Sequence, residues 1–179
     1  MVAAPTASKL SLQCEAIGTD TTTLRSLDRD RSRFDIEFGL RNGTTYNAFL
    51  IRGERTALVD TSHAKFRDTW IPLLKEQIDP CDIDVLIVSH TEPDHSGLIG
   101  DLLDLNPDLE IVGSKVALQF LKDQVHRPFQ SRAVKTGEEL DLGTNPESGA
   151  KHRIEFLSAP NPVSYTHLRA HETRGNLVC

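Results

Sequence analysis

The apolar run Asp84-Val85-Leu86-Ile87-Val88-Ser89, followed at once by His90-Thr91-Glu92-Pro93-Asp94-His95-Ser96-Gly97, constrains this chain more than any other stretch. A β-branched, almost wholly apolar segment reads as a central strand of a sheet covered on both faces. Leu98, Ile99, Leu102 and Leu103 then recur on one face of a helix, with Ser96 placed to cap its start. A loop between such a strand and helix sits on a rigid frame yet meets solvent, which is where chemistry concentrates. Four side chains able to bind a metal, His90, Glu92, Asp94 and His95, fall within six residues of this loop. Residues 90 and 92 lie two apart in extended chain and can point the same way, whereas Asp94 and His95 come after the bend that Pro93 imposes. The spacing allows one pair of ligands for each of two metals, the alternative being a charged surface loop with a helix-capping carboxylate.

This loop resembles that of the metallo-β-lactamase superfamily, whose usual form is His-x-His-x-Asp-His and whose members are mostly zinc hydrolases. Glu92 stands where the second histidine would be. An imidazole is neutral and borderline soft; a carboxylate is anionic, hard and able to bridge, so the exchange favours iron over zinc and with it redox chemistry. The form His-x-Glu-x-Asp-His-x-Gly resembles the flavodiiron proteins. Arg33-Phe34-Asp35-Ile36-Glu37-Phe38-Gly39, Asn42-Gly43-Thr44-Thr45-Tyr46-Asn47, Ala57-Leu58-Val59-Asp60-Thr61, Lys115-Val116-Ala117-Leu118-Gln119-Phe120-Leu121 and Ser158-Ala159-Pro160-Asn161 are similar, in the same order, to the amino-terminal domain of the diflavin type found in oxygenic phototrophs. The resemblance runs roughly from residue 20 to residue 161.

It implies an α/β fold, the first half of a metallo-β-lactamase-like αββα sandwich in which two sheets pack together under outer helices. It implies reduction of O2 to water, or of NO to N2O, at a non-haem site of two iron ions, with His90 and Glu92 on one iron and Asp94 and His95 on the other. Electrons would come from FMN in a downstream domain, and in the phototroph type from a further flavin (FAD or FMN) domain using NAD(P)H. A head-to-tail homodimer is implied for the full-length protein. The alternative reading is a zinc-dependent hydrolase of the same superfamily, with a metal-bound hydroxide as nucleophile.

From Pro162 the chain reads Pro-Val-Ser-Tyr-Thr-His-Leu-Arg-Ala-His-Glu-Thr, which resembles a forward translation of the transposase adapter used in sequencing libraries. The expected organisation is an extension over residues 1–20, a partial diiron domain over 21–161 and an adapter-derived tail over 162–179, in which His167, His171 and Cys179 carry no function. By the resemblance a histidine, a bridging aspartate and a final histidine would come after the Ala-Pro-Asn segment. The expectation is therefore a fragment that is inactive alone.

A formal charge of -6 and the lack of any basic patch argue against a nucleic-acid partner. No apolar run approaches a membrane span and no signal-peptide layout opens the chain, so a cytoplasmic location is expected. Cys14 and Cys81 are too isolated for a disulfide framework and read as free thiols.

Elsewhere, Asn42-Gly43 marks a hairpin between Asp35-Ile36-Glu37-Phe38 and a strand from Thr45 to Ile51, and a second reversal leads into Thr56-Ala57-Leu58-Val59-Asp60. Phe66, Trp70, Leu73, Leu74 and Ile78 predict a helix over 65–78, with Phe66 and Trp70 in the core. Leu109 to Gly113 reads as a strand, and Ser114 caps a helix with Val116, Ala117, Phe120 and Leu121 on one face. Strands near 132–135 and 153–157 flank a polar loop containing Gly143, Pro146 and Gly149. Asp60, ending an apolar strand, suits either orienting a ligating histidine or capping the next helix or turn. His63, His126 and His152 have no partner at ligand spacing and read as surface or helix-end residues.

Overall fold

Side chains along a strand alternate between faces, and that parity sorts the apolar residues into two cores on either side of one sheet. The computed structural model describes residues 10–34, 38–158 and 168–172. Its elements are β1 (Leu10–Gly18), β2 (Thr21–Asp28), β3 (Arg33–Phe34), β4 (Phe38–Gly39), β5 (Thr44–Arg52), β6 (Thr56–Val59), α1 (Arg67–Gln77), β7 (Val85–Val88), α2 (Pro93–Ser96), α3 (Ile99–Leu105), β8 (Glu110–Gly113), α4 (Lys115–Val125), β9 (Ser131–Ala133), β10 (Glu139–Thr144), β11 (Lys151–Ser158) and β12 (Leu168–Glu172).

Seven strands form the main sheet in the order β1-β2-β5-β6-β7-β8-β9, antiparallel as far as β6 and parallel from there. Tyr46, Ala48 and Leu50 of β5, Leu58 of β6 and Leu86 and Val88 of β7 share a core with Phe66, Trp70 and Leu74 and with Leu102, Leu118 and Leu121 of the helices. The alternate residues Ile51, Ala57, Val59, Val85 and Ile87 face Leu140, Leu142, Ile154 and Phe156 of a second sheet, ordered β10-β11-β12. Helices thus cover one face of the main sheet and a second sheet covers the other. All of β7 is buried, as the run 84–89 requires. Among the described residues no helix is long and apolar enough to cross a membrane.

Several expectations are corrected. Strand β5 does not pair with the segment before Asn42-Gly43; it lies between β2 and β6, while β3 pairs with β4, and residues 35–37 fall outside the described residues. The pairing with β2 runs from Thr21↔Ile51 to Asp28↔Thr44 and buries Leu24 against the helix side, far more than a two-residue ribbon offers. Gly43 still makes the reversal, at φ 78°, and a Cβ there would stand 2.0 Å from the Asp28 carbonyl oxygen. The segment read as an extension contains β1, an edge strand of the main sheet. Strand β10 occupies part of the expected polar loop, and Leu168–Glu172 of the tail lies antiparallel to β11.

Ser96 is not a helix cap. Pro93 starts a helical turn earlier, so Ser96 ends α2 and its hydroxyl donates back to the carbonyls of Thr91 and Glu92. Ser114 does cap α4, accepting from the Ala117 N–H at 3.0 Å. On that helix Ala117, Leu118 and Leu121 are buried, but Val116 and Phe120 are exposed. Residues 116 and 120 lie one turn apart, so the rotation that points Leu118 inward turns both out.

Candidate metal centre

Pro93 organises the loop. The residue before a proline is pushed out of the helical region, and Glu92 sits at φ −65°, ψ 151°, extended, immediately before α2. In extended chain residues two apart share a side, and His90 Nε2 lies 2.8 Å from Glu92 Oε1. The His90 side chain is buried and that of Glu92 is 44% exposed, so one partner of the pair is shielded from solvent and the other meets it. After the proline, the N–H groups of His95 and Ser96 both donate to the Glu92 carbonyl at 2.9 Å, which winds Asp94 and His95 onto the first helical turn. The His95 Nε2 and Asp94 Oδ2 atoms are 3.8 Å apart, and the rings of His90 and His95 stand 5.5 Å apart, tilted by 60°. Four expected ligands are thereby gathered as two neighbouring pairs, one on each side of Pro93. Among the described residues no three His, Cys, Asp or Glu side chains form a ready group for one ion.

Asp60 resolves in favour of orienting a histidine. It ends β6 at φ 57°, a left-handed conformation uncommon outside glycine, which turns its carboxylate toward the neighbouring loop. Its oxygens accept from the Ser89 N–H at 2.8 Å, from the Ser89 hydroxyl, and from His95 Nδ1 at 2.9 Å. With Nδ1–H held there, Nε2 is the nitrogen left with a lone pair for a metal. Burial disfavours a charged imidazole at His95, but the Asp60 carboxylate and the charges of Asp94 and Glu92 outweigh it, so His95 titrates above the ordinary histidine range. A donor set of imidazole nitrogens and carboxylate oxygens, the 3.8 Å gap between His95 and Asp94 and a carboxylate behind His95 all fit a metal held at this loop.

Sequence reasoning passed over the segment after Asp60. Thr61 donates both its N–H and its hydroxyl to the His95 carbonyl, each at 2.7 Å, and its hydroxyl oxygen accepts from the Leu98 N–H at 3.3 Å. The polar run Asp60-Thr61-Ser62 at the end of an apolar strand was the available signal. Gly97 lies against the same segment: a Cβ there would meet the Pro93 carbonyl oxygen at 2.4 Å, and Ala64 N and Ser62 O at 2.8 Å each.

The remaining histidines have other surroundings. His63 precedes the 3-10 turn Ala64–Phe66, accepts from the Lys65 N–H through Nδ1 at 3.2 Å and stacks on Tyr46; burial and the Lys65 and Arg31 cations hold it below the ordinary histidine range. His126 is the left-handed cap of α4. His152 is corrected from a surface residue to a buried one, its Nε2 2.8 Å from Asp20 Oδ2 across the gap between β11 and the β1–β2 turn. Cys14 and Cys81 are free thiols.

A strand, a loop carrying two histidines and two carboxylates, and a helix, set on a core of two packed sheets, define a class, and the sequence agrees with it. The chain belongs to the metallo-beta-lactamase superfamily, which it matches over residues 41–170. Among individual relatives it is 57% identical over 157 residues to diflavin flavoprotein A 1 of Synechocystis, an alignment covering 88% of this chain and 26% of that protein. The chain thus spans about a quarter of the length of the curated relatives it matches. In structure it is similar to the metal-soaked Flv1 flavodiiron core from Synechocystis, with a TM-score of 0.81, 30% identity and coverage of 92% of this chain and 40% of that one. A flavo di-iron protein variant from Thermotoga maritima gives a TM-score of 0.80 at 26% identity, covering 92% and 40%.

Proposed function

We propose that this chain is the diiron-binding part of a flavodiiron oxidoreductase that reduces O2 to water, with NO to N2O as the related reaction. His90 and Glu92 hold one iron; Asp94 and His95 hold the other. A diiron site of this kind would need further donors from outside this loop. Held by these residues, iron would supply the redox chemistry for reducing a diatomic gas. The chain's own residues do the rest. Asp60 keeps the His95 proton on Nδ1, Pro93 sets the two pairs apart, and His90 and Asp94 are buried while Glu92 is exposed to solvent. In the whole protein, proposed to be a head-to-tail homodimer, FMN in a downstream domain would be the electron donor to this site, itself served by a further flavin (FAD or FMN) domain using NAD(P)H. The functional domain runs over residues 21–161, with β1 packed on its edge, and the tail 162–179 takes no part in the chemistry.

One observation carries this reading: a carboxylate, Glu92, occupies the position beside His90, with Oε1 2.8 Å from Nε2. A hard anionic donor there favours iron. The test is Glu92→His in an intact relative, read by metal analysis and oxygen consumption. Zinc should replace iron and oxygen uptake should vanish. Two irons with unchanged oxygen uptake would overturn the ligand assignment, and stoichiometric zinc with hydrolase turnover in the unmutated protein would overturn the reaction class.

A further inference from the structure

Residues Asp60 to Lys65 form a strap fixed at both ends. At one end Asp60 and Thr61 hold His95 by its Nδ1 and by its carbonyl. At the other end the strap is tied to β2. Ser62 and Ser26 share a buried hydrogen bond of 2.7 Å between their hydroxyls, and the Lys65 ammonium pairs with the Asp28 carboxylate. Ser26 and Asp28 are two residues apart on β2, so they share a face, and both are fully buried. Asp28 also accepts from the Tyr46 hydroxyl at 2.7 Å, and Tyr46 in turn accepts from Arg31 at 3.0 Å.

A carboxylate buried at the end of a strand is an inefficient way to stabilise a sheet, because desolvation cancels much of what its lysine returns and an apolar pair would do as well. What such a pair supplies is position. Between its two ends the strap has little freedom, since Gly97 lies so close that a Cβ would overlap Ala64 N and Ser62 O. We propose that the Asp28–Lys65 ion pair, with the Ser26–Ser62 hydrogen bond, is a positioning device for the metal loop: it holds the strap at the height where Asp60 and Thr61 fix His95 in one orientation. Neither Asp28 nor Lys65 touches the metal. The inference rests on the reading of His95 as a ligand only for its metal consequence; the mechanical coupling stands on the contacts themselves.

The experiment uses the full chain with 15N-labelled backbone and histidine side chains. Lys65→Met leaves Asp28 unpaired and risks the fold. The double variant Asp28→Asn/Lys65→Met removes both charges and keeps a neutral acceptor for Tyr46. The expected result is a folded double variant with a native-like unfolding midpoint. Its Thr61 and Leu98 amides should exchange about tenfold faster, and the His95 ring resonances at fixed pH should shift from one tautomer toward a mixture. Lys65→Arg, which keeps the charge, should hold both signals at their parental values. Cobalt(II) titration, monitored by visible absorption, should weaken by about tenfold in the double variant. A folded double variant with parental Thr61 exchange and parental His95 resonances overturns the proposal. So does a double variant that cannot fold, since the pair is then a stability element. Absence of cobalt binding in the parent chain, with His95 still responding to the double variant, counts against the ligand reading and leaves the positioning intact.

Discussion

Replacing Gly97 by alanine separates two roles of glycine that are usually confounded. Its φ of −63° is ordinary right-handed helix, so alanine meets no backbone penalty there. The obstacle is space. Ordinary contact begins at 3.4 Å, and an added methyl would stand 2.4 Å from the Pro93 carbonyl oxygen and 2.8 Å from Ala64 N and Ser62 O, overlaps of about 1.0 and 0.6 Å against backbone atoms. To admit it, α2 and the strap must part by several tenths of an ångström, which stretches the 2.7 Å bonds from Thr61 to the His95 carbonyl. Overpacking costs about 1–3 kcal/mol. Each weakened hydrogen bond adds about 1 kcal/mol, and reduced unfolded-chain entropy returns about 0.4–1 kcal/mol. The expected net loss is about 2–5 kcal/mol, or a fall in the urea midpoint of about 1–2 M. Trp70, the single tryptophan and fully buried, reports unfolding by fluorescence. Gly100→Ala is the control: nothing lies within 4 Å of its added Cβ inside α3, so stability should rise by about 0.5–1 kcal/mol. A Gly97→Ala protein as stable as the Gly100→Ala protein would refute the reasoning.

Two other measurements arise from the electrostatics. His95 is held above its ordinary value, so it binds its proton more tightly folded than unfolded; its contribution to metal-free stability is full below about pH 6.5 and fades as pH rises through the higher folded value. Asp60→Asn should flatten that fall in denaturant midpoints measured on either side of neutrality, and an unchanged slope would contradict the Asp60–His95 contact. The Tyr46 phenol, buried and hydrogen-bonded to Asp28, is pushed up to about 12. Stability from it is therefore full below about pH 10 and lost as the pH rises toward about 12. Near-ultraviolet titration of the two tyrosines should show one tyrosinate forming only near pH 12. That step should be absent from Tyr46→Phe, and a parent in which both phenols ionise near pH 10 would exclude a buried Tyr46.

The sequence by itself determined β7, the loop after it, and the grouping of His90 with Glu92 and of Asp94 with His95, because each depends on neighbours a few residues apart. Uniform β-branched apolarity makes a doubly covered strand, and a proline fixes its own φ and extends the residue before it. Strand β10 was missed: the alternation of Glu139-Leu140-Asp141-Leu142 is short, and the glycines and polar residues after it read as a loop. The tertiary structure alone decided the rest. That β5 pairs with β2 rather than with its own neighbour depends on which long partner buries more, and the outward turn of Val116 and Phe120 depends on how α4 seats over β8. The same holds for Asp60, which could cap or orient until β6 and β7 lay side by side in parallel and brought it to His95, 35 residues away. The Lys65–Asp28 tie spans 37 residues and leaves no periodic trace. Short-range sterics write themselves into sequence as spacing; a contact between distant segments exists only once the sheet has set their register.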